Sequence, residues 1–179
     1  MKIIAAFFQL VRWPNLVFIA ITQILFVYCI VHPVMYTAGV IPNIHGTYFL
    51  LLMLGSIFIA AAGYIINDYF DLNIDLVNKP EKMVVEKVIS RRSVIIWHLL
   101  LSITGIAIGF YIDIKTNVRF LGFANSVCVL LLFLYSISLK KKLLWGNILI
   151  SLLTAWTILV VGWCETSKLL QPKDRKSVV

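Results

Sequence analysis

The stretch TYFLLLMLGSIFIAAAGYIINDYFDLNIDLVNKPEK, residues 47–82, decides how the rest of the chain is read. From Thr47 to about Ile66 it is apolar and uncharged, long enough for one helix across a bilayer core. The part that follows places Asp68, Asp71 and Asp75, three of the chain's eight acidic residues, within eight positions. At about 100° per residue a helix would gather Asn67, Asp71, Asp75 and Asp68 into an arc of roughly 100°, with Tyr64 and Asn78 in the same arc. Carboxylates this close repel one another and raise each other's pKa unless a cation intervenes. A hard, oxygen-seeking ion such as Mg²⁺, sharing its shell with phosphate oxygens, is the natural partner. The alternative is a solvated acidic helix end. Such an end would mix Lys with Asp, and here Lys79 and Lys82 come only after Asp75.

Composition sets the class. The chain is 61% hydrophobic and 13% charged, with a mean hydropathy of +0.95, where a soluble domain carries about a quarter charged residues. Its length suits a bundle of about five membrane helices of roughly 20 residues each. The net charge of +8 is explained by basic residues between apolar runs, as cytoplasmic anchors, rather than by nucleic acid. Cys29, Cys128 and Cys164 lie far apart without metal or redox spacing and read as small packing residues. His32, His45 and His98 share no helical face and propose no metal site.

Met1 to Val11 reads as an amphipathic lead-in at the membrane surface. Helix one follows from Arg12-Trp13-Pro14-Asn15 to about Val31, with Asn15 and Gln23 as polar groups that must face protein or a cavity. His32 to Gly46 holds two prolines, two glycines and no Lys or Arg, so it reads as an outer loop. Helix two runs from about Thr47 to Ile66, with Ala60-Ala61-Ala62-Gly63 allowing close approach of another helix. Ser90 caps helix three, about Arg91 to Ile112, and Asp113 to Arg119 is a short outer turn. Helix four runs from about Phe120 to Leu139 and carries Asn125. Helix five runs from about Leu144 to Trp163. Ten Lys and Arg fall on the expected inner side and six on the outer, four of those in the tail from Glu165. The N-terminus is therefore expected in the cytoplasm.

Asn67-Asp68-x-x-Asp71-x-x-x-Asp75 resembles the first aspartate-rich motif of the UbiA family of intramembrane prenyltransferases. Arg12-x-Pro14-Asn15 resembles the start of that family's first helix, and Ile89-Ser90-Arg91-Arg92 part of its first cytoplasmic loop. Lys79 and Lys82 stand where family members carry arginines, keeping the charge but losing bidentate phosphate geometry. Tyr135-Ser136-Ile137-Ser138-Leu139-Lys140, then Gly146-Asn147, is similar to a further family segment, especially in the branch making archaeal-type ether lipids. Thr154 stands where family members carry a Thr-Gly step.

The resemblance implies an all-α, polytopic membrane helical bundle, a truncated form of a nine-helix fold, with residues 1–179 as one membrane domain of the inner membrane. It implies Mg²⁺-dependent transfer of a prenyl group from a prenyl diphosphate to an aromatic or lipid-hydroxyl acceptor. Asn67, Asp68, Asp71 and Asp75 would be the metal-binding and catalytic residues. Arg12, Asn15, Tyr64, Lys79, Lys82, Asn125, Tyr135 and Lys140 would hold substrate. The family's second aspartate motif has no counterpart here, since Glu81, Glu86, Asp113, Glu165 and Asp174 are scattered. The expectation is an incomplete site, little transfer by this chain alone, and helix faces left to lipid or to self-association. Competing readings are an inactive fragment or a membrane binding or structural protein, a cation carrier using the acidic cluster, and a CDP-alcohol phosphatidyltransferase, whose Asp-Gly-x-x-Ala-Arg pattern is missing.

Overall fold

A computed structural model describes residues 2–39, 41–78, 85, 88–116 and 118–169. Among these the chain is helical, without strands and with one isolated bridge between Val85 and Ile89. Helix α1 (Lys2–Leu10) is amphipathic: Ala6 and Leu10, with Val11 beyond its end, are buried, whereas Ile3, Ile4 and Phe8 are exposed. The chain then turns at Arg12, whose φ of 53° is left-handed, an uncommon conformation for a non-glycine residue. It enters α2 (Trp13–Phe26) with Pro14 in the first turn.

Here the structure departs from the expected loop at His32. A π-helical turn (Val27–Val31) and α3 (His32–Thr37) continue α2, giving one apolar span, Trp13–Thr37. The His32 N–H donates to the Val27 carbonyl, five residues back. Widening the helix here accommodates Pro33, which has no N–H and would crowd a carbonyl in a regular helix. The true loop is 41–46. Its backbone N–H groups at Asn43 and Ile44 donate to the Glu165 carboxylate at 2.6 and 2.9 Å, which satisfies donors that lipid could not.

Helix α4 (Thr47–Asn78) has 32 residues, twelve beyond the expected end at Ile66, so the acidic stretch is helical. Two prolonged helices follow the same pattern. Helix α5 (Arg91–Thr116) passes Ile112, and its N-terminus is capped as expected, the Ser93 N–H donating to Ser90 Oγ at 3.2 Å. Helix α7 (Leu143–Leu169) passes Trp163. Asp113 therefore belongs to α5 rather than to a turn. Its carboxylate accepts the Leu121 and Gly122 N–H groups at 3.0 and 2.9 Å, capping α6 (Leu121–Ile137). A 3₁₀ turn (Leu139–Lys141) links α6 to α7.

Among the described residues, four helices are long and apolar enough to cross a membrane; a further apolar helix, α6, has only 17 residues. Helices α4, α5 and α6 form the packed centre, drawn together by glycines. A Cβ at Gly105 would lie 2.7 Å from Ile59 Cγ1 and 3.2 Å from the Gly55 carbonyl oxygen. One at Gly109 would lie 2.9 Å from the Gly122 Cα. Such small-residue contacts replace the hydrophobic driving force that lipid does not supply. Cys128 and Cys164 are buried as expected of packing residues, but Cys29 is exposed.

Candidate functional site

Helices α2, α4, α6 and α7 surround a cavity of about 410 Å³. Their directions define its two ends. Helix α4 lines it from Ser56 to Asn67, α2 with Arg12, Asn15, Phe18 and Ile19, α6 from Asn125 to Tyr135, and α7 from Ile150 to Val160. Arg12, Asn15, Tyr64, Asn67 and Tyr135 thus share one polar end, the mouth. Ser56, Asn125, Trp156, Thr157 and Val160 lie toward the deep end, with apolar walls such as Ile19, Ile59, Leu132 and Leu153 between them.

The mouth is organised by two cation–carboxylate pairs on neighbouring turns of α4. Lys140 Nζ donates to Asp71 Oδ1 at 2.6 Å and to Asn67 Oδ1 at 3.5 Å. The Asn67 amide in turn donates to Asp71 Oδ2 at 2.9 Å, a one-turn contact that only a helix provides. Arg12 Nη2 donates to Asp68 Oδ1 at 2.9 Å, and its guanidinium lies 5.2 Å from the Tyr64 ring centroid. Tyr64 also accepts a hydrogen bond from Asn15 Nδ2 at 3.3 Å. Arg12 is thus held by an ion pair and a ring face, which supports its left-handed backbone.

The expected site residues therefore divide. Arg12, Asn15, Tyr64, Asn67, Asp68, Asp71, Tyr135 and Lys140 come together at the mouth, the two ion pairs accounting for Asp68 and Asp71. Asn125 lines the cavity far from the mouth, and its amide nitrogen donates to the Gly105 carbonyl at 3.0 Å, tying α6 to α5. Lys79 and Lys82 lie outside the described residues, and of Asp75 only the helical backbone is described. Sequence reasoning missed Ser56, Trp156 and Thr157. Ser56 had a legible signal, since it lies eleven residues before Asn67 and so within about 20° of the same helical face.

Whether a divalent cation fits is answered by the donor set. Asn67 Oδ1 and the Asp71 carboxylate are hard oxygen donors one turn apart, and an ammonium already sits between them. They suit an ion such as Mg²⁺, which keeps waters and takes one or two carboxylates plus substrate phosphates. Among the described residues no three His, Cys, Asp or Glu side chains form a complete metal cage.

The sequence model of the UbiA prenyltransferase family matches residues 24–172. The digeranylgeranylglyceryl phosphate synthase of Methanoregula boonei is 35% identical over 113 residues, 63% of this chain and 39% of that one. Its namesake from Sulfolobus acidocaldarius is 36% identical over 126 residues, 68% of this chain and 42% of its own. A solved structure described as digeranylgeranylglyceryl phosphate synthase in membranes superposes with a TM-score of 0.70 at 25% identity, covering 90% of this chain and 53% of that one. The chain thus spans about two-fifths of the length of these curated relatives.

Proposed function

Because the chain belongs to the UbiA prenyltransferase family, we propose that it binds a prenyl diphosphate and serves prenyl transfer to a lipid hydroxyl. The product would be a prenylated glyceryl phosphate, as the relatives' name describes. One observation carries the reading: a mouth of paired cations and carboxylates opens onto an apolar cavity between membrane helices. The diphosphate would lie at Asn67, Asp71 and Lys140, and the hydrocarbon chain would run inward toward Ser56.

In the reaction the allylic carbon–oxygen bond of the donor breaks and its electron pair leaves with the diphosphate. The acceptor hydroxyl oxygen forms the new carbon–oxygen bond, and its proton is taken up by the departing diphosphate. Asn67 and Asp71, with Asp75 as the resemblance implies, would hold Mg²⁺, which when bound would supply neutralisation of the leaving charge. Lys140 would add fixed positive charge at the same place. Tyr64 and Tyr135 line the mouth, where electron-rich rings would favour a developing carbocation. The apolar walls keep water from that cation. Arg12 and Asn15 hold Tyr64 in place, and through Arg12 the Asp68 carboxylate acts as a positioning group.

The test is binding of radiolabelled geranylgeranyl diphosphate to the purified chain in detergent. Saturable binding that depends on Mg²⁺ and falls by about tenfold or more in Asp71→Asn is expected. Binding indifferent to both the metal and Asp71 would refute the reading. Uptake of cations into vesicles without diphosphate binding would favour a carrier instead.

A further inference from the structure

Gln23 is fully buried in α2, within the apolar span. Its Nε2 donates to Ser56 Oγ on α4 at 3.0 Å and to the Thr157 carbonyl on α7 at 2.7 Å. Its Oε1 is buried without a hydrogen-bond partner. A carboxamide in lipid surroundings is costly when half satisfied, so its position needs a reason beyond filling space. It ties three of the four cavity-lining helices together at one level, and that level is the deep end. The α4 lining begins at Ser56, eleven residues or about 16 Å of helix rise from Asn67. The α2 lining ends at Ile19, one turn short of Gln23, and the α7 lining reaches Thr157 and stops at Val160.

We infer that Gln23, with Ser56 and Thr157, forms the floor of the cavity and sets how long a prenyl chain the site admits. This deepens the proposed function and rests on it. A chain whose diphosphate lies at Asn67 and Asp71 brings its far end to this level. One more isoprene unit would have to displace a carboxamide that bridges two helices and would bury its unpaired oxygen deeper in hydrocarbon. The floor therefore rejects length by polarity as well as by volume.

The bridge is not what satisfies its neighbours. Ser56 Oγ also donates to the Leu52 carbonyl at 3.1 Å, and Thr157 lies within the continuous helix α7. Gln23→Ala thus removes an orphaned polar atom and opens space at the floor. Ser56→Leu does the reverse and raises the floor.

Competition of geranyl, farnesyl, geranylgeranyl and geranylfarnesyl diphosphates against radiolabelled geranylgeranyl diphosphate, on the full chain in detergent with Mg²⁺, reads the length preference. Inorganic diphosphate serves as a probe of the mouth alone. In Gln23→Ala the affinity for geranylfarnesyl relative to geranylgeranyl diphosphate should rise by about tenfold, the scale of a few newly buried methylenes. In Ser56→Leu the preference should move toward farnesyl diphosphate by a similar factor. Inorganic diphosphate should compete equally well in all three proteins. An unchanged length preference in both variants, with prenyl diphosphate binding intact, overturns the floor and leaves the donor reading standing. If the unmodified chain binds no prenyl diphosphate, both fall. Should Gln23→Ala fail to fold, Ser56→Leu decides alone.

Discussion

Lys140 places an ammonium between Asn67 Oδ1 and Asp71 Oδ1, the two oxygens that a bound metal would share. On the proposed function the residue would compete with a metal while none is bound, and would become free to reach the diphosphate once one is. Lys140→Met separates these roles. The variant should bind Mn²⁺ more tightly than the parent, because the carboxylate has lost its internal partner. Its affinity for inorganic diphosphate should drop by about tenfold, the size of one charge-assisted hydrogen bond. Electron paramagnetic resonance of Mn²⁺ reads the first effect and diphosphate competition the second. Weaker Mn²⁺ binding in the variant would show that Lys140 does not compete with the metal. Single residues were also the most legible part of the site. Arg12, Asn15, Tyr64, Asn67 and Tyr135 could be found as polar or aromatic groups at apolar-run boundaries. Thr157 could not be singled out, because a hydroxyl in a membrane helix can bond its own preceding turn, as Thr157 does with the Thr154 carbonyl.

Among elements, the contact of α5 with α6 is the tightest test of how the bundle is built. At Gly109 an added Cβ would meet Asn125 Nδ2 at 2.7 Å and the Gly122 backbone at 2.9 Å, so Gly109→Ala must push the helices apart. A loss of about 1–3 kcal/mol is expected, visible as a lower unfolding temperature in detergent. Gly162, with nothing within 4 Å, is the control. Replacing it with Ala should leave stability unchanged or raise it by up to ~1 kcal/mol. Equal losses at both positions would mean that helix propensity, not close approach, governs these glycines. The existence of the main helices followed from apolar length alone, yet their ends did not. Helix α4 continues past Ile66 because Asn67, Asp68 and Asp71 find partners at helical spacing and on other helices, which a charge count does not reveal. Helix α3 exists because a π turn absorbs Pro33, a backbone adjustment invisible in composition.

For the whole molecule, the Lys and Arg asymmetry predicts that the mouth faces the cytoplasm and loop 41–46 faces outside. Single cysteines at positions 45 and 141, in a background lacking Cys29, Cys128 and Cys164, should react with an impermeant reagent from opposite sides. Reaction from the same side would overturn the orientation. The 17-residue α6 has a further consequence for the surrounding lipid. It rises only about 26 Å, short of a hydrocarbon core of roughly 30 Å, while its neighbours α4 and α5 have length to spare. Such a mismatch is relieved by local thinning of the bilayer and by snorkelling of flanking basic residues. Lys141 and Lys142 are exposed and placed for this, whereas Lys140 is held by Asp71, so a dimple is expected beside the mouth. Lipid headgroups would thereby be drawn down toward Asp71, and on the proposed function a diphosphate arriving within the leaflet would have less distance to climb before it is held.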